Sequence, residues 1–346
     1  MLIDWITARL ESDHLNPEVW AGLRFLQDRV QRFCPKTGEV RWETCPWDSV
    51  RSDSHSLAIK VGGDALWLQG SPARVCGSGD AVFGEGPSAS LDLPGCLSAM
   101  VAFASTHLGI WLPDHPEVWI VSRADITQNI MLDSLSDVRV ALRYLRECEG
   151  GRYRVSQQAG DTVYWSHRSR LRKGKAYAKG PHVEHMVKQA NYTGRVYTEA
   201  ELKASNKLLR LEETIGCQFF KSKSRDKIHW YQLTPKMLIE EWNSYFNRMI
   251  GNAEMNTDTD IRLNLEAVAP TLGQARSAHA CWLLIQHVGW EKARNTYPAR
   301  SWYRHIKILR DAGIGDMDIS AGRIVPFRQK IIEARHVNTW RDLLAA

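Results

Sequence analysis

The hydrophobic period of this chain changes once, near Phe220, and that change limits what it can fold into. Before it, short segments with strand-like alternation recur at residues 2–10, 39–43, 55–61, 65–69, 117–127, 153–157, 162–166, 174–178 and 207–215. Four helical patterns are set among them, at 17–33, 93–108, 136–148 and 199–204. After it, residues 235–250, 272–289 and 301–313 all show helical spacing. Strands that cluster rather than alternate with helices predict an α+β domain with a largely antiparallel sheet. The expectation is a sheet domain over 1–225, then a mainly helical domain over 226–346, joined through the basic segment 221–227.

Local punctuation supports the divisions. Asn16 stands before Pro17 as an N-cap before a proline at the first helical position, Gly62-Gly63-Asp64 joins two alternating runs as a hairpin turn, and Gly150-Gly151 can stop a helix. With 346 residues, 44% of them hydrophobic, the chain can bury one large core or two ordinary ones.

Seven cysteines (Cys34, Cys45, Cys76, Cys96, Cys148, Cys217 and Cys281) are odd in number and never spaced C-x-x-C. That argues against a disulfide framework and a structural zinc site, and for reduced thiols in cytosol. The N-terminus meets charge too early for a signal peptide, and no apolar run approaches the ~18 residues of a membrane span. A chain neither exported nor inserted is expected. Basic residues exceed acidic ones 45 to 39, a balance that favours a polyanion only where it is concentrated.

It is concentrated between His167 and Lys188, where Arg168, Arg170, Arg172, Lys173, Lys175, Lys179 and Lys188 face one acid, Glu184. Such a density could neutralise several DNA phosphates, or form a solvated basic loop. Tyr177 lies inside it, with Lys175 and Lys179 two residues away on each side and on its own strand face if the segment is extended. Neighbouring ammonium groups favour the phenolate that a tyrosine nucleophile needs at a phosphodiester, although most strand tyrosines are packed aromatics. Asp125, Glu212 and Glu213, and the His182, Glu184 and His185 group, offer ligands for Mg²⁺ or Mn²⁺. Asp125 and Glu212 also follow Arg123 and Arg210 closely, so internal salt bridges are the plain alternative. Farther on, a helix opening at Ser301 would set Arg300, Arg304 and Lys307 on one face and Trp302, Ile306 and Leu309 on another. It could be the second helix of a helix-turn-helix preceded by 272–289, or an ordinary amphipathic helix.

Taken in order, several blocks resemble the gene II-type replication initiators of filamentous bacteriophages. They are Gln69-Gly-Ser-Pro-Ala-Arg-Val75 with Val82-Phe83-Gly84, Val121-Ser-Arg-Ala-Asp-Ile-Thr127, Thr162 through Arg170 with Lys175-Ala-Tyr-Ala-Lys179, and Leu209-Arg-Leu-Glu212. Ser301-Trp-Tyr-Arg-His305, Ala312-Gly-Ile-Gly315 and Ile324-Val-Pro-Phe-Arg328 resemble the C-terminal region of that family, also known as the phage X family.

The resemblance implies a site-specific nickase and strand-transferase. Such an enzyme cuts the viral strand at the double-stranded origin, leaves a 3′-hydroxyl for a host polymerase, and later rejoins the displaced strand. It implies Tyr177 as nucleophile, Asp125 and Glu212 as metal ligands, and Lys175 and Lys179 as phosphate-binding groups. The family's glutamate after Tyr-x-Lys is replaced here by His182, with Glu184 two residues later, so either could be the third ligand. His55 matches a recurrent family histidine, as a ligand or a strand-end residue. The implied partners are supercoiled origin DNA, single-stranded viral DNA, and a host helicase and polymerase in the bacterial cytoplasm, with several copies assembling on the origin. The competing expectations are a non-catalytic origin- or operator-binding protein and a conjugative-type relaxase, whose paired-histidine core the sequence lacks.

Overall fold

Among the described residues, ten strands form one sheet. In chain order the elements are β1 (Leu2–Glu11), α1 (Pro17–Leu26), β2 (Val30–Phe33), β3 (Val40–Thr44), β4 (Asp48–Arg51), β5 (Ser56–Gly62), β6 (Ala65–Gly70), α2 (Pro72–Val75), α3 (Leu93–Leu108), β7 (Trp119–Met131) and α4 (Leu135–Arg146). They continue with β8 (Val155–Gln157), β9 (Thr162–Trp165), β10 (Arg172–Ala178), α5 (Lys179–Val187), α6 (Glu199–Ser205), β11 (Leu208–Gly216) and α7 (Cys217–Arg225). The last group is α8 (Pro235–Ile250), α9 (Asp258–Val268), α10 (Leu272–Val288), α11 (Trp290–Thr296), α12 (Ala299–Asp311), α13 (Asp316–Ala321), β12 (Arg335–Val337) and α14 (Trp340–Leu344). The computed structural model describes all residues except 27, 52–55, 147–154, 158–159, 191, 193, 251–257, 322–334 and 346. His55, Cys148, the Gly150-Gly151 stop and the block 324–328 lie outside the described residues.

The strand order is β4-β5-β6-β1-β7-β11-β10-β9-β8, with β12 added beside the end of β7 and every pairing antiparallel. The expected α+β class and antiparallel sheet are therefore what the chain adopts. Helices α3, α4, α7 and α8 cover one face, joining Ile3, Ile6, Ala124, Ile126, Leu209, Leu211 and Ala176 in a single core. Asp92 caps α3, its carboxylate accepting from the Gly95 N–H at 3.2 Å, and Gly109 ends that helix in the left-handed region. On β10 the covered positions are Gly174, Ala176 and Ala178, and α8 comes close at Gly174, where a Cβ would meet the Tyr245 ring at 2.7 Å.

Several expectations need correction. The helix read over 17–33 stops at Leu26, and residues 30–33 pair with β3 in a separate, exposed two-stranded ribbon. The supposed linker 221–227 is mostly helix α7. The first core runs on through Leu238, Trp242, Tyr245 and Phe246 of α8, so the boundary at 225 is set too early. A second core joins Ile261, Trp282, Trp302, Ile306 and Leu309 of the helical region. Beyond it the chain returns to the sheet. β12 pairs with β7 (Val337 with Asn129), and the Trp340 indole donates to the buried Asp80 carboxylate at 2.7 Å.

Candidate active site

The face of the sheet away from α3, α4 and α8 carries polar side chains in register. Three cross-strand rows run Tyr177–Arg210–Asn129, Lys175–Glu212–Thr127 and Lys173–Thr214–Asp125. The period of two sends these residues to one side and the apolar Leu209, Leu211 and Ile215 to the other. Glu212 sits diagonally between Tyr177 and Asp125, a separation of about 7–8 Å on each side that long side chains can bridge.

Tyr177 is buried, and its hydroxyl donates to Glu212 Oε1 at 2.6 Å. Lys175 Nζ lies 4.0 Å from the centre of the Tyr177 ring and 3.4 Å from Glu212 Oε2. Lys179 Nζ reaches the Tyr177 hydroxyl at 3.5 Å. Both lysines therefore flank the phenol, Lys175 from the strand and Lys179 from the first position of α5 rather than from an extended segment. The expected preference for phenolate is reversed, because burial and then the Glu212 charge push the phenol well above its usual range. Lys179 is itself 2% exposed, and burial followed by the Arg210 charge holds its amine well below the ordinary lysine range. It faces the tyrosine rather than solvent phosphate.

Arg210 anchors this cluster. Its guanidinium donates to Asn129 Oδ1 at 2.9 Å, to the Val82 carbonyl, and to Asp4 Oδ2 at 3.4 Å. The salt-bridge alternative thus holds in form for Arg210, but its partner is Asp4 rather than Glu212. For Asp125 it holds directly: Arg123 grips both carboxylate oxygens, at 2.9 and 2.6 Å. Burial, reinforced by the like charge of Glu212, still lifts the Asp125 carboxyl above the ordinary carboxylate range. Two neighbouring carboxylates on one face suit a hard divalent ion, which commonly takes one or two carboxylates and completes its shell with water and phosphate.

His182 and Glu184 do not complete a set with them. Among the described residues no group of three or more histidine, cysteine or acidic side chains is placed to hold a metal. The His182 ring packs edge-on against Tyr177 at 5.2 Å, and lost hydration followed by the charges of Lys179 and Lys175 takes its imidazole down to about 3. Glu184 accepts from Asn206 Nδ2 at 3.3 Å.

The basic stretch divides. Arg168 and Arg170 are exposed, and Lys173 is half-buried on the Tyr177 side. Arg172 does not join them: it points to the covered face, pairs with buried Glu213 and with Glu241, and lies over the Tyr245 ring at 5.0 Å. On α12, Arg300, Arg304 and Lys307 are exposed on one side beside Tyr303, while Trp302, Ile306 and Leu309 are buried. α12 starts at Ala299, not at a Ser301 cap, and a short helix, α11, separates it from α10.

Asp4, Asn129 and Asp80 were not anticipated. Asp4 falls where the register of β1 against β7 shifts between Ile3 and Trp5. Asp80 accepts from the Val82 N–H and from Tyr197 and Trp340, tying the 76–88 loop to the C-terminal segment. An acid that interrupts the apolar alternation of β1 was the one sequence signal for Asp4.

A sheet with one apolar, helix-backed face and one face that gathers lysines, arginines and acids around a buried tyrosine is the frame of the candidate site. The family model for the N-terminal region of the phage replication-associated protein, the gene 2 product, matches residues 2–239, and the chain belongs to that family. The replication-associated protein of Enterobacteria phage I2-2 is 27% identical over 340 residues, covering 93% of this chain and 90% of its own. A rolling-circle replication initiator structure from Geobacillus stearothermophilus aligns with a TM-score of 0.28 at 8% identity, over 62% of this chain and 73% of its own. No helix among the described residues is long and apolar enough to cross a membrane.

Proposed function

We propose that the chain starts rolling-circle replication by nicking one strand at a phage origin and later rejoins the displaced strand. The observation that carries this reading is the 2.6 Å hydrogen bond from Tyr177 to Glu212 on the cationic sheet face of a chain from this replication-protein family. A buried phenol with a raised pKa reacts only if its proton has an acceptor, and Glu212 supplies one. As the phenol oxygen bonds to phosphorus, the proton passes to Glu212. The P–O3′ bond breaks, and the 3′-oxygen leaves with a proton from water. A 5′-phosphotyrosine conserves the bond energy for rejoining. Lys175 lies against the same phenol and neutralises charge that grows on the phosphoryl oxygens, while Lys179 holds the tyrosine oxygen in place.

Asp125 and Glu212 would hold Mg²⁺ or Mn²⁺, which supplies further charge neutralisation at the phosphate. Arg168, Arg170 and Lys173 would take backbone phosphates of the cut strand, and Arg300, Arg304 and Lys307 on α12 would grip the duplex origin. The host polymerase and helicase would act on the exposed 3′-end in the bacterial cytoplasm, with more than one copy assembled on the origin.

The test is conversion of supercoiled plasmid carrying the cognate phage intergenic region to open circles with Mg²⁺ or Mn²⁺. The intact chain should nick, while Tyr177→Phe and Asp125→Ala should not. Binding to the origin with no nicking under either metal would leave a non-catalytic origin-binding protein as the better account.

A further inference from the structure

β7 outruns its neighbour β11, whose last pair is Gly216 with Arg123. The space beside residues 119–122 is therefore not closed by another strand. Helix α7 and the turn Trp230–Gln232 stand there instead, with the Trp230 indole donating to the Trp119 carbonyl at 2.8 Å. Between them and the sheet lies an open groove of about 860 Å³.

Its lining sets cations among aromatic and aliphatic side chains. Arg9 and Trp67 are cross-strand partners on β1 and β6, with the guanidinium 5.4 Å from the indole centre. Lys221 and Arg225 come from successive turns of α7, Arg170 from the loop before β10, and Tyr231 from the turn, its ring parallel to His229 at 5.3 Å. Four cations thus line the groove against one acid, Glu117, with Arg9 also paired to Glu11 at 3.1 Å. Aromatic faces set among cations are what a flexible polyanion with stackable rings requires.

The strand that lines the groove also leads toward the tyrosine cluster. Arg9 pairs with Ile120 and Thr7 with Arg123 in the β1–β7 register, and Arg123 in turn grips Asp125. From Ile120 to Asp125 is about 17 Å along one strand, a path with the exposed guanidinium of Arg123 midway.

We infer that this groove between α7 and the start of β7 binds unpaired single-stranded DNA adjoining the cut, its bases stacked on Trp67 and Tyr231 and its phosphates held by Arg9, Arg170, Lys221 and Arg225. The inference rests on the nickase reading for the identity of the strand, and it assigns to α7 a role that the catalytic cluster does not need. A paired duplex presents no free base faces, so the groove selects the strand after melting.

The experiment measures anisotropy of a fluorescent oligothymidylate without divalent metal, in a Tyr177→Phe background where nicking plays no part. Lys221→Glu with Arg225→Glu should weaken binding about tenfold or more and flatten its salt dependence. Tyr231→Leu should weaken it about fivefold or more with the salt slope kept. Lys221→Ala with Arg225→Ala, and a thermal melt of each variant, separate loss of the groove from loss of fold. Arg143→Glu, on the solvent side of α4 behind the sheet, should change affinity little. Unchanged affinity in the α7 variants, or an equal loss in Arg143→Glu, would overturn the groove while leaving origin nicking by the intact chain untouched. Groove-dependent binding by a chain that never nicks would overturn the nickase reading and leave the groove.

Discussion

The phenol of Tyr177 and the carboxylate of Glu212 meet at 2.6 Å from adjacent strands whose register pairs Tyr177 with Arg210, one row away from Glu212. The contact is diagonal, and it ties the reactivity of one strand to the charge of the next. Glu212→Gln keeps the shape and a hydrogen-bonding partner but removes the proton acceptor. Nicking by this variant should fall by about 10² to 10⁴, with origin binding kept. Single-turnover nicking measured beside a gel shift checks both halves.

Arg172 sits in the basic stretch and yet should not act on DNA. Replacing it with alanine leaves Glu213, 0% exposed, without its cation, at a cost of about 3–5 kcal/mol. Urea unfolding should show that loss. The salt slope of DNA binding by the folded fraction should stay at the parent value, whereas Arg168→Ala with Arg170→Ala should lower it with stability unchanged.

Glu213 also sets a pH dependence. Burial lifts its carboxyl to about 7 from the usual 4.5 in spite of Arg172. A folded-state value above the unfolded one means the folded chain holds the proton more tightly. The associated stability is complete below about pH 4.5 and is lost as pH rises toward 7, a span of on the order of 3 kcal/mol. Melting temperatures from pH 5 to 8 should decline, and Glu213→Gln should decline less over the same window.

The exposed row on α12 predicts a split between substrates. Arg300→Ala, Arg304→Ala and Lys307→Ala together should weaken binding of a duplex origin and reduce the salt slope by about 0.9 for each phosphate no longer neutralised. Cutting of a short single-stranded origin oligonucleotide should persist, because Tyr177 and Glu212 are on the sheet.

Much of this was readable beforehand because it is local. Alternation placed β5, β6, β9 and β11, and the lysines two residues either side of Tyr177 do flank its ring. What was not readable depends on partners distant in the chain. The polar end of β7, residues 128–131, looked like a strand terminus, yet Asn129 is held by Arg210 from β11 and its backbone by β12. α5 was hidden by Gly180 and Pro181, which suit a loop by composition but are tolerated in a first turn. The tyrosine's electrostatics were misjudged for the same reason: its strand neighbours are cations, while the acid that controls it arrives from residue 212. Arg172 shows the limit of counting charge, since alternation along β10 alone turns it away from Lys173.

The C-terminal return of the chain to β7 has a consequence for synthesis. The helical region is a loop spliced between two visits to the same sheet, so the strand bearing Asp125 gains its last backbone neighbour only from residues 335–337. On a ribosome, helices α8 to α13 have all emerged before the sheet can be finished. A nascent chain is thereby denied this pairing until residues 335–337 have emerged, and a product terminated before them leaves that end of β7 without its partner.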